Sequence, residues 1–276
     1  MATTAEGLLL ADRYQVTLSG LVRQLGTVAE QRFRFHLMQA SGDIEGAWQR
    51  WLDELAPQVE GITAQAAQMA DAYVAAMTTL ETGIGTSPIG LRPADYTATA
   101  TRGTDVDELR RRPLVTVLGA LSRGVQFDQA VAQGAQRAVS TLETDVQLAA
   151  RAASRDAMSA DERIVGYRRT LSGTENCGLC VAASTQRYRT GDLMPIHARC
   201  DCGVEPIYGT RDPGQVIDRD TLRTLSEQSG GLGSRSQLAR QRFTTADLPE
   251  VEVVDHGELG PTLTSRQHAH SGPNEI

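Results

Sequence analysis

Two stripes of mostly apolar residues, each repeating at alternating steps of four and three, constrain the fold of this chain more than any other feature of its sequence. The first stripe follows Ala11 and comprises Tyr14, Leu18, Leu21, Leu25, Val28, Arg32 and Phe35. The second comprises Trp48, Leu52, Leu55, Val59, Ile62, Ala66, Met69, Tyr73, Ala76 and Leu80. This spacing is typical of a coiled-coil seam, and the polar turn at residues 41–43 predicts that the two helices form an antiparallel hairpin. Such a hairpin needs a further partner to bury its remaining faces, as in the core of a helical bundle.

The remainder of the segment 1–172 also has a predominantly helical pattern. Pro57 predicts a kink or the start of a new helix within the second stripe. Residues 82–105 are rich in Gly, Pro and Thr without periodicity, which indicates a loop and a hinge between helical pieces. The helical pattern resumes at Leu114, Leu118, Leu121 and Val125. A long helix follows with Asp128 in its first turn and with Val131, Ala135, Ala138, Leu142, Val146 and Ala149 on one face.

The last helix of this region is predicted to begin at Ser159 and to run through Ile164 and Tyr167 to Leu171, ending at Gly173. After Pro206 the composition shifts to Gly, Ser, Arg, Asp and Gln. We expect residues 209–276 to be flexible, with short helices at 222–225 and 236–243 and a brief strand-like alternation at 251–253.

All four cysteines lie between positions 177 and 202, and this clustering points to a metal. The candidate ligands are Cys177, Cys180, His197, Cys200 and Cys202, of which four would bind Zn²⁺ tetrahedrally as a structural site. The set is either three cysteines with His197 or four cysteines, and the alternative to a metal is reduced thiols or disulfides. A short hairpin near residues 185–190 would bring the two halves together in a small zinc knuckle.

These patterns predict a mainly α fold: helical hairpins or a bundle, a small zinc-knuckle module on a short β-hairpin, and a flexible C-terminal tail. The predicted boundaries are 1–172 for the helical domain, 173–208 for the knuckle and 209–276 for the C-terminal region. No catalytic residues are predicted, because the cysteine pattern lacks the open metal position and nearby base of a catalytic zinc.

The net charge of −7 excludes a global basic field that would hold nucleic acid. A local basic cluster is nevertheless present, which is either a DNA contact or an ordinary solvated surface; it comprises Arg163, Arg168, Arg169, Arg187, Arg189 and Arg199. No apolar run is long enough to span a membrane and no basic leader precedes Leu8–Leu10, so we expect a protein made in a cytoplasm without membrane association.

Two segments carry a resemblance to a known family. They are residues 166–202, from Gly166-Tyr-Arg-Arg through Cys177-Gly-Leu-Cys180 to Cys200-Asp-Cys202, and the tail His256-Gly-Glu-Leu-Gly-Pro261 followed by Thr-Leu-Thr. The sequence resembles the phage Mu F-type (MuF-like) minor head proteins, especially those of phages that infect actinobacteria. The absence of lysine agrees with a G+C-rich host.

The resemblance implies a head morphogenesis component of a tailed phage. Such a protein is made in the bacterial host cytoplasm and resides in the virion, inside the head. Its expected partners are the portal and the capsid or scaffold proteins, and packaged double-stranded DNA. The alternative is a zinc-containing DNA-binding or nuclease-like protein. A nuclease needs a free histidine base, whereas His197 is a candidate ligand and His268 and His270 lie in the polar tail.

Overall fold

Three long helices form most of the part of the chain that the structure describes: α1 (Ala5–Met38), α2 (Ile44–Thr82) and, later in the chain, α5 (Phe127–Ser159). The structure is a computed structural model that describes residues 3–103, 105–170, 187–188, 190 and 202–209, with the backbone of 251–255 and 261–265. Shorter elements are a 3-10 turn (Pro93–Tyr96), α3 (Ala98–Arg102) and α4 (Val106–Ser122). The predicted mainly helical fold is confirmed.

The predicted hairpin of α1 and α2 is confirmed, and its turn lies at the predicted position. Ser41 and Gly42 both have positive φ angles, 47° and 96°, which reverse the chain within a few residues. Asp43 then caps α2 by accepting a backbone N–H with its carboxylate. At the opposite end of the hairpin, the Thr4 hydroxyl donates to the Glu81 carboxylate at 2.7 Å.

The buried face of α1 follows a longer period than the predicted seam. The buried apolar positions are Ala11, Tyr14, Leu18, Val22, Leu25, Ala29, Phe33 and Leu37. Steps of four outnumber steps of three in this series, so its period matches an eleven-residue repeat rather than a heptad. After Leu25 the predicted seam positions therefore rotate away from the buried face of the helix. Val28 is half-buried, Arg32 is exposed and Phe35 is 49% exposed. The prediction for Arg32 and Phe35 was wrong for this reason.

Helix α2 continues through Pro57 as a single 39-residue helix, so the predicted start of a new helix there is wrong. Its predicted seam is buried at Trp48, Leu55, Val59, Ala66 and Tyr73. The remaining members are half-buried or exposed, and they are Leu52, Ile62, Met69, Ala76 and Leu80. Toward its C-terminal end the helix presents a broader buried face than a heptad provides, because it contacts both α1 and α5.

Helix α5 lies at the centre of the bundle and contacts α1, α2 and α4. Its predicted face is buried throughout, and Asp128 lies in the first turn as predicted. Gly134 is required where α1 and α4 converge on this helix. A Cβ atom there would overlap a methyl carbon of Val117 and would lie 3.1 Å from the ring of Phe33.

The predicted loop is confirmed for residues 85–92, which contain neither helix nor strand, but the 3-10 turn and α3 follow within the predicted loop range. This segment is held to the bundle by the buried carboxylate of Asp71, which accepts the backbone N–H groups of Ile89, Gly90 and Leu91 at 2.9, 2.9 and 3.2 Å. One side chain of α2 thus satisfies three consecutive loop amides.

The helix predicted from Ser159 to Leu171 is wrong, because residues 164–170 form a strand. The strands β1 (Ile164–Thr170), β2 (Arg187–Tyr188) and β3 (Gly203–Tyr208) form an antiparallel sheet in the order β2-β1-β3. Asp161 precedes β1 and accepts the backbone N–H of Arg163 at 3.0 Å, which turns the chain out of the helix. In β1 the glycine at 166 permits the close approach of β2, since a Cβ would lie 2.6 Å from the carbonyl oxygen of Tyr188.

A separate antiparallel hairpin is formed by β4 (Val251–Asp255) and β5 (Pro261–Ser265). The strand predicted at 251–253 is confirmed, whereas the second strand was missed. The knuckle residues 173–186 and 191–201 lie outside the described residues, as do the short helices predicted at 222–225 and 236–243.

Candidate functional site at Cys202

Cys202 is the member of the predicted zinc set that lies within the described residues. It immediately precedes β3 and is 2% exposed. The start of β3 is fixed to the helices, because the Tyr73 hydroxyl of α2 donates to the carbonyl oxygen of Val204 at 2.9 Å. At the other end of the strand, the hydroxyl groups of Tyr208 and Thr78 are 3.1 Å apart. Cys202 is therefore held against the helical body by the strand that it begins.

Two guanidinium groups face the sulfur of Cys202. Nη1 of Arg169, in β1, lies 3.0 Å from Sγ, and Nη2 of Arg151, in α5, lies 3.3 Å from it. Nη2 of Arg151 also donates to the carbonyl oxygen of Cys202. Both arginines are buried. Helix α5 and the central strand β1 thus both contact the sulfur of Cys202, which lies at the start of the edge strand β3.

Arg151 has an unusual environment for a buried cation. Only 9% of the residue is exposed, and Nη1 has no hydrogen-bond partner within the described part of the chain. Its hydrogen bonds go to the carbonyl oxygen and the sulfur of Cys202, and no carboxylate of a described residue forms an ion pair with it. A buried guanidinium requires an anionic or strongly polar partner, and Cys202 is the group in that position.

An ion pair between Arg168 and Glu205 lies in the same sheet. Arg168 donates to both carboxylate oxygens of Glu205, at 2.9 and 3.0 Å, and Glu205 is fully buried. Burial raises the pKa of the Glu205 carboxyl, while the charge of Arg168 acts in the opposite direction. Burial and then the charge of Glu205 raise the pKa of the neighbouring Tyr73 well above its usual range. Tyr73 therefore remains a neutral hydrogen-bond donor to β3.

A cavity of about 240 Å³ opens beside Cys202, between α1, α5 and β3. Its polar lining includes Gln15 and Ser19 of α1 and Gln147 and Arg151 of α5. At its inner side the ring of Tyr14 stacks on the ring of Tyr73, with centroids 4.3 Å apart. Burial raises the pKa of Tyr14 to about 12, so its hydroxyl is neutral as well. Cys202 thus lies at the boundary between the packed core and the cavity.

The remaining predicted metal ligands, Cys177, Cys180, His197 and Cys200, lie outside the described residues. Among the residues that are described, no three His, Cys, Asp or Glu side chains group closely enough to hold a metal ion. Cys202 is thus the part of the predicted site whose surroundings are known.

Each arginine of the predicted basic cluster whose side chain is described forms hydrogen bonds within the protein. Arg168 pairs with Glu205 and Arg169 contacts Cys202, as above. Arg163 donates to the Asp161 carboxylate at 2.6 and 2.8 Å. Arg187 pairs with Arg168 through the backbone of β2. Arg189 and Arg199 lie outside the described residues.

Sequence reasoning missed Arg151 and Glu205. The residues that flank each of them in the sequence could have indicated their burial. Arg151 interrupts an alanine-rich run on the buried face of α5, and Glu205 lies between Val204 and Pro206 in a strand whose residues are mostly buried. A charged residue in an otherwise apolar buried segment indicates a paired ion or a ligand site.

None of the helices in the described residues combines the length and the apolar character needed to cross a membrane. No protein-family model matches the chain, and comparison with curated proteins and with solved structures likewise finds no match.

Proposed function

We propose that this chain is a non-enzymatic minor head protein of a tailed phage, which assembles with the portal and with capsid or scaffold proteins inside the phage head. Its helical body would dock on the partner, and a structural Zn²⁺ would hold the knuckle. The sequence resemblance over residues 166–202 and 256–264 supports the class of protein. The contact of Arg151 and Arg169 with the sulfur of Cys202 is the observation that supports a structural role for the metal.

That contact supports a closed site rather than a catalytic one. Structural zinc is enclosed by protein ligands, whereas catalytic zinc keeps a position open to substrate. Cys202 is 2% exposed, and within the described part of the chain its sulfur contacts the guanidinium groups of Arg151 and Arg169. Four of Cys177, Cys180, His197, Cys200 and Cys202 would bind the metal.

The distribution of exposed apolar side chains supports docking through the helical body. The large apolar residues that are more than 40% exposed on the helices and on the loop after α2 are Leu8, Leu9, Val16, Phe35, Met38, Leu80, Ile84, Ile89, Val115 and Leu118; on β1 the exposed one is Val165. Val115 and Leu118 are neighbours on one face of α4, since they are three residues apart. We therefore assign the main portal contact to the helices.

The internal contacts of Arg163, Arg168 and Arg169 speak against the alternative, a zinc-containing DNA-binding or nuclease-like protein. Guanidinium groups that already donate to carboxylates or to sulfur have fewer N–H groups left for phosphates. Direct contact with packaged double-stranded DNA would then depend on Arg187, Arg189 and Arg199.

The test is affinity capture of the portal protein from the same phage by the tagged full-length chain. We expect capture by the wild type, a loss of at least tenfold in the double variant Val115→Glu with Leu118→Glu, and retention by Val165→Glu as the control. A wild-type chain that captures no portal, or a phage that assembles infectious particles without this gene, contradicts the proposal. Binding of DNA at physiological salt without portal capture favours the alternative.

A further inference from the structure

We propose that the cavity between α1, α5 and β3 is a binding site for a small 2-hydroxy carboxylic acid, whose carboxylate is bound by Arg151 and whose hydroxyl group is bound by Gln147. Both residues belong to α5 and both line the cavity. A role in head assembly does not require such a site, and the site requires no metal. It is a further binding activity of the helical body.

Each of these two residues carries a buried polar atom that has no hydrogen-bond partner within the described part of the chain. The atoms are Nη1 of Arg151 and Oε1 of Gln147. The residues are only 9% and 8% exposed, respectively. Leaving a buried polar group unsatisfied is costly, so native proteins pair nearly all of them. Arg151 and Gln147 are four residues apart and therefore neighbours on one face of α5, which places both unpaired groups beside the same cavity.

The two unpaired atoms define the chemistry of a matching ligand. Nη1 of a guanidinium only donates hydrogen bonds, and the amide oxygen of a glutamine only accepts them. The other terminal nitrogen of Arg151, Nη2, already contacts Cys202, so the ligand would use Nη1. A ligand that satisfies both atoms carries an acceptor for Arg151 next to a donor for Gln147.

A carboxylate and a hydroxyl group meet these two requirements best. A guanidinium forms its strongest hydrogen bonds with anionic oxygen acceptors, of which a carboxylate is the smallest organic example. The donor to Gln147 is better supplied by a hydroxyl than by an ammonium group, because burying a second cation beside Arg151 costs far more than burying a neutral hydroxyl. In a 2-hydroxy acid the two groups are on adjacent carbon atoms, as residues on consecutive turns of one helix require.

The size and the remaining lining of the cavity set the length of the acid. An apolar cavity of about 150 Å³ binds benzene, so this cavity of about 240 Å³ has room for about nine non-hydrogen atoms. Leu18 and Val22 of α1 contribute apolar lining, which suits a short branched hydrocarbon chain. Arg23, also in the lining, is exposed, so the cavity reaches the surface there. The acid that fits this description is 2-hydroxy-4-methylpentanoate.

The direct experiment is a titration of the full-length chain, labelled at its leucine and valine methyl groups, with 2-hydroxy-4-methylpentanoate. We expect saturable chemical-shift changes at the methyl groups of Leu18 and Val22, and none at Leu118 of α4, which does not line the cavity. If no saturable change occurs at any concentration up to the solubility limit, the cavity holds only water and the proposal is overturned.

Three related compounds test the assigned groups one at a time. The amide of the same acid lacks the carboxylate and should bind at least about tenfold more weakly, whereas 4-methylpentanoate lacks the hydroxyl group and should bind about fivefold more weakly. Leucine has an ammonium group in place of the hydroxyl and should also bind more weakly. Equal binding of the amide overturns the role of the carboxylate, and equal or tighter binding of leucine overturns the assignment of a hydroxy acid.

Substitutions in α5 test which residue contacts which group. Gln147→Leu should remove the preference for the hydroxy acid over 4-methylpentanoate while both still bind, a change in selectivity that a merely structural role would not produce. Arg151→Met should weaken binding of both acids by at least about tenfold. Arg155→Met is the matched control, because Arg155 is an exposed arginine on the same helix. Unchanged selectivity in Gln147→Leu overturns the proposal, and this variant decides alone if Arg151→Met does not fold.

Discussion

The ion pair between Arg102 of α3 and Asp145 of α5 offers the sharpest test of how the bundle is stabilised. Nε of Arg102 lies 2.5 Å from Oδ1 of Asp145, and Nη2 donates to the carbonyl oxygen of Thr141 at 2.8 Å. The two side chains are 0% and 1% exposed. Removing one partner of a fully buried pair leaves the other charge without compensation, so Arg102→Met should lower the free energy of unfolding by about 3–5 kcal/mol. That is a large fraction of the stability of a typical domain.

The pH dependence of this loss provides an independent check. Burial raises the pKa of the Asp145 carboxyl, and Arg102 is the main group that opposes this shift. Without Arg102 the folded-state pKa rises further above the unfolded-state value. The folded variant then prefers the protonated carboxyl, so its stability is lost as the pH rises through that folded-state pKa. The difference between Arg102→Met and wild type should therefore shrink as the pH is lowered.

Urea denaturation followed by far-UV circular dichroism measures both effects. Arg92→Met is the control, because Arg92 forms an exposed ion pair with Asp95 and its side chain is 82% exposed; we expect a change below about 1 kcal/mol. The double variant Arg102→Met with Asp145→Asn should lose clearly less than the sum of the two single variants. If Arg102→Met is as stable as Arg92→Met at neutral pH, the reasoning from burial is wrong.

Three further predictions concern the packing, the loop and the metal. Gly134→Ala should cost about 1–3 kcal/mol in a thermal or urea unfolding experiment, because its Cβ has no room, whereas Gly20→Ala in α1, where nothing lies within 4 Å, should be neutral or stabilise by up to about 1 kcal/mol. Asp71→Ala should cost about 1–3 kcal/mol and speed proteolysis of the loop after α2, since three amides lose their acceptor; unchanged proteolysis would contradict this. Elemental analysis should find about one zinc per chain, and Cys177→Ser or Cys180→Ser should lose the metal while most of the helical signal remains; a metal-free wild type would refute the site.

The sequence predicted α5 better than α1 and α2, and the difference has a physical cause. Helix α5 lies at the centre, so a wide face is buried and any reasonable stripe falls within it. Helix α1 buries a narrower face, and a strict heptad seam rotates off that face along the length of the helix. Phe35 is exposed for this reason, while Phe33, two positions earlier, is fully buried.

The strand β1 was missed because its local pattern is ambiguous. Ile164 and Tyr167 are three residues apart, a spacing that fits a helix, and both are indeed buried. The pairing partner that makes this segment a strand lies much later in the chain: Arg168 is opposite Glu205, and Thr170 is opposite Gly203. A contact of that sequence separation leaves no trace in a local periodicity. The glycine at 166 was the local signal that favoured the strand.

Contacts between distant parts of the chain also limit what the sequence predicts about single residues of the candidate site. Cysteine spacing predicts that a metal binds but leaves open which four donors bind it, because the residues between the two halves set no unique geometry. The surroundings of the one described cysteine, Cys202, come from parts of the chain far before it: Arg151 of α5 and Arg169 of β1 both contact its sulfur. An arginine in an alanine-rich helix has two interpretations in sequence, a solvated side chain or a buried counter-ion. Arg151 is buried against the sulfur of Cys202, which excludes the solvated side chain, so this contact between the helical body and the cysteine segment could not be predicted from either segment alone.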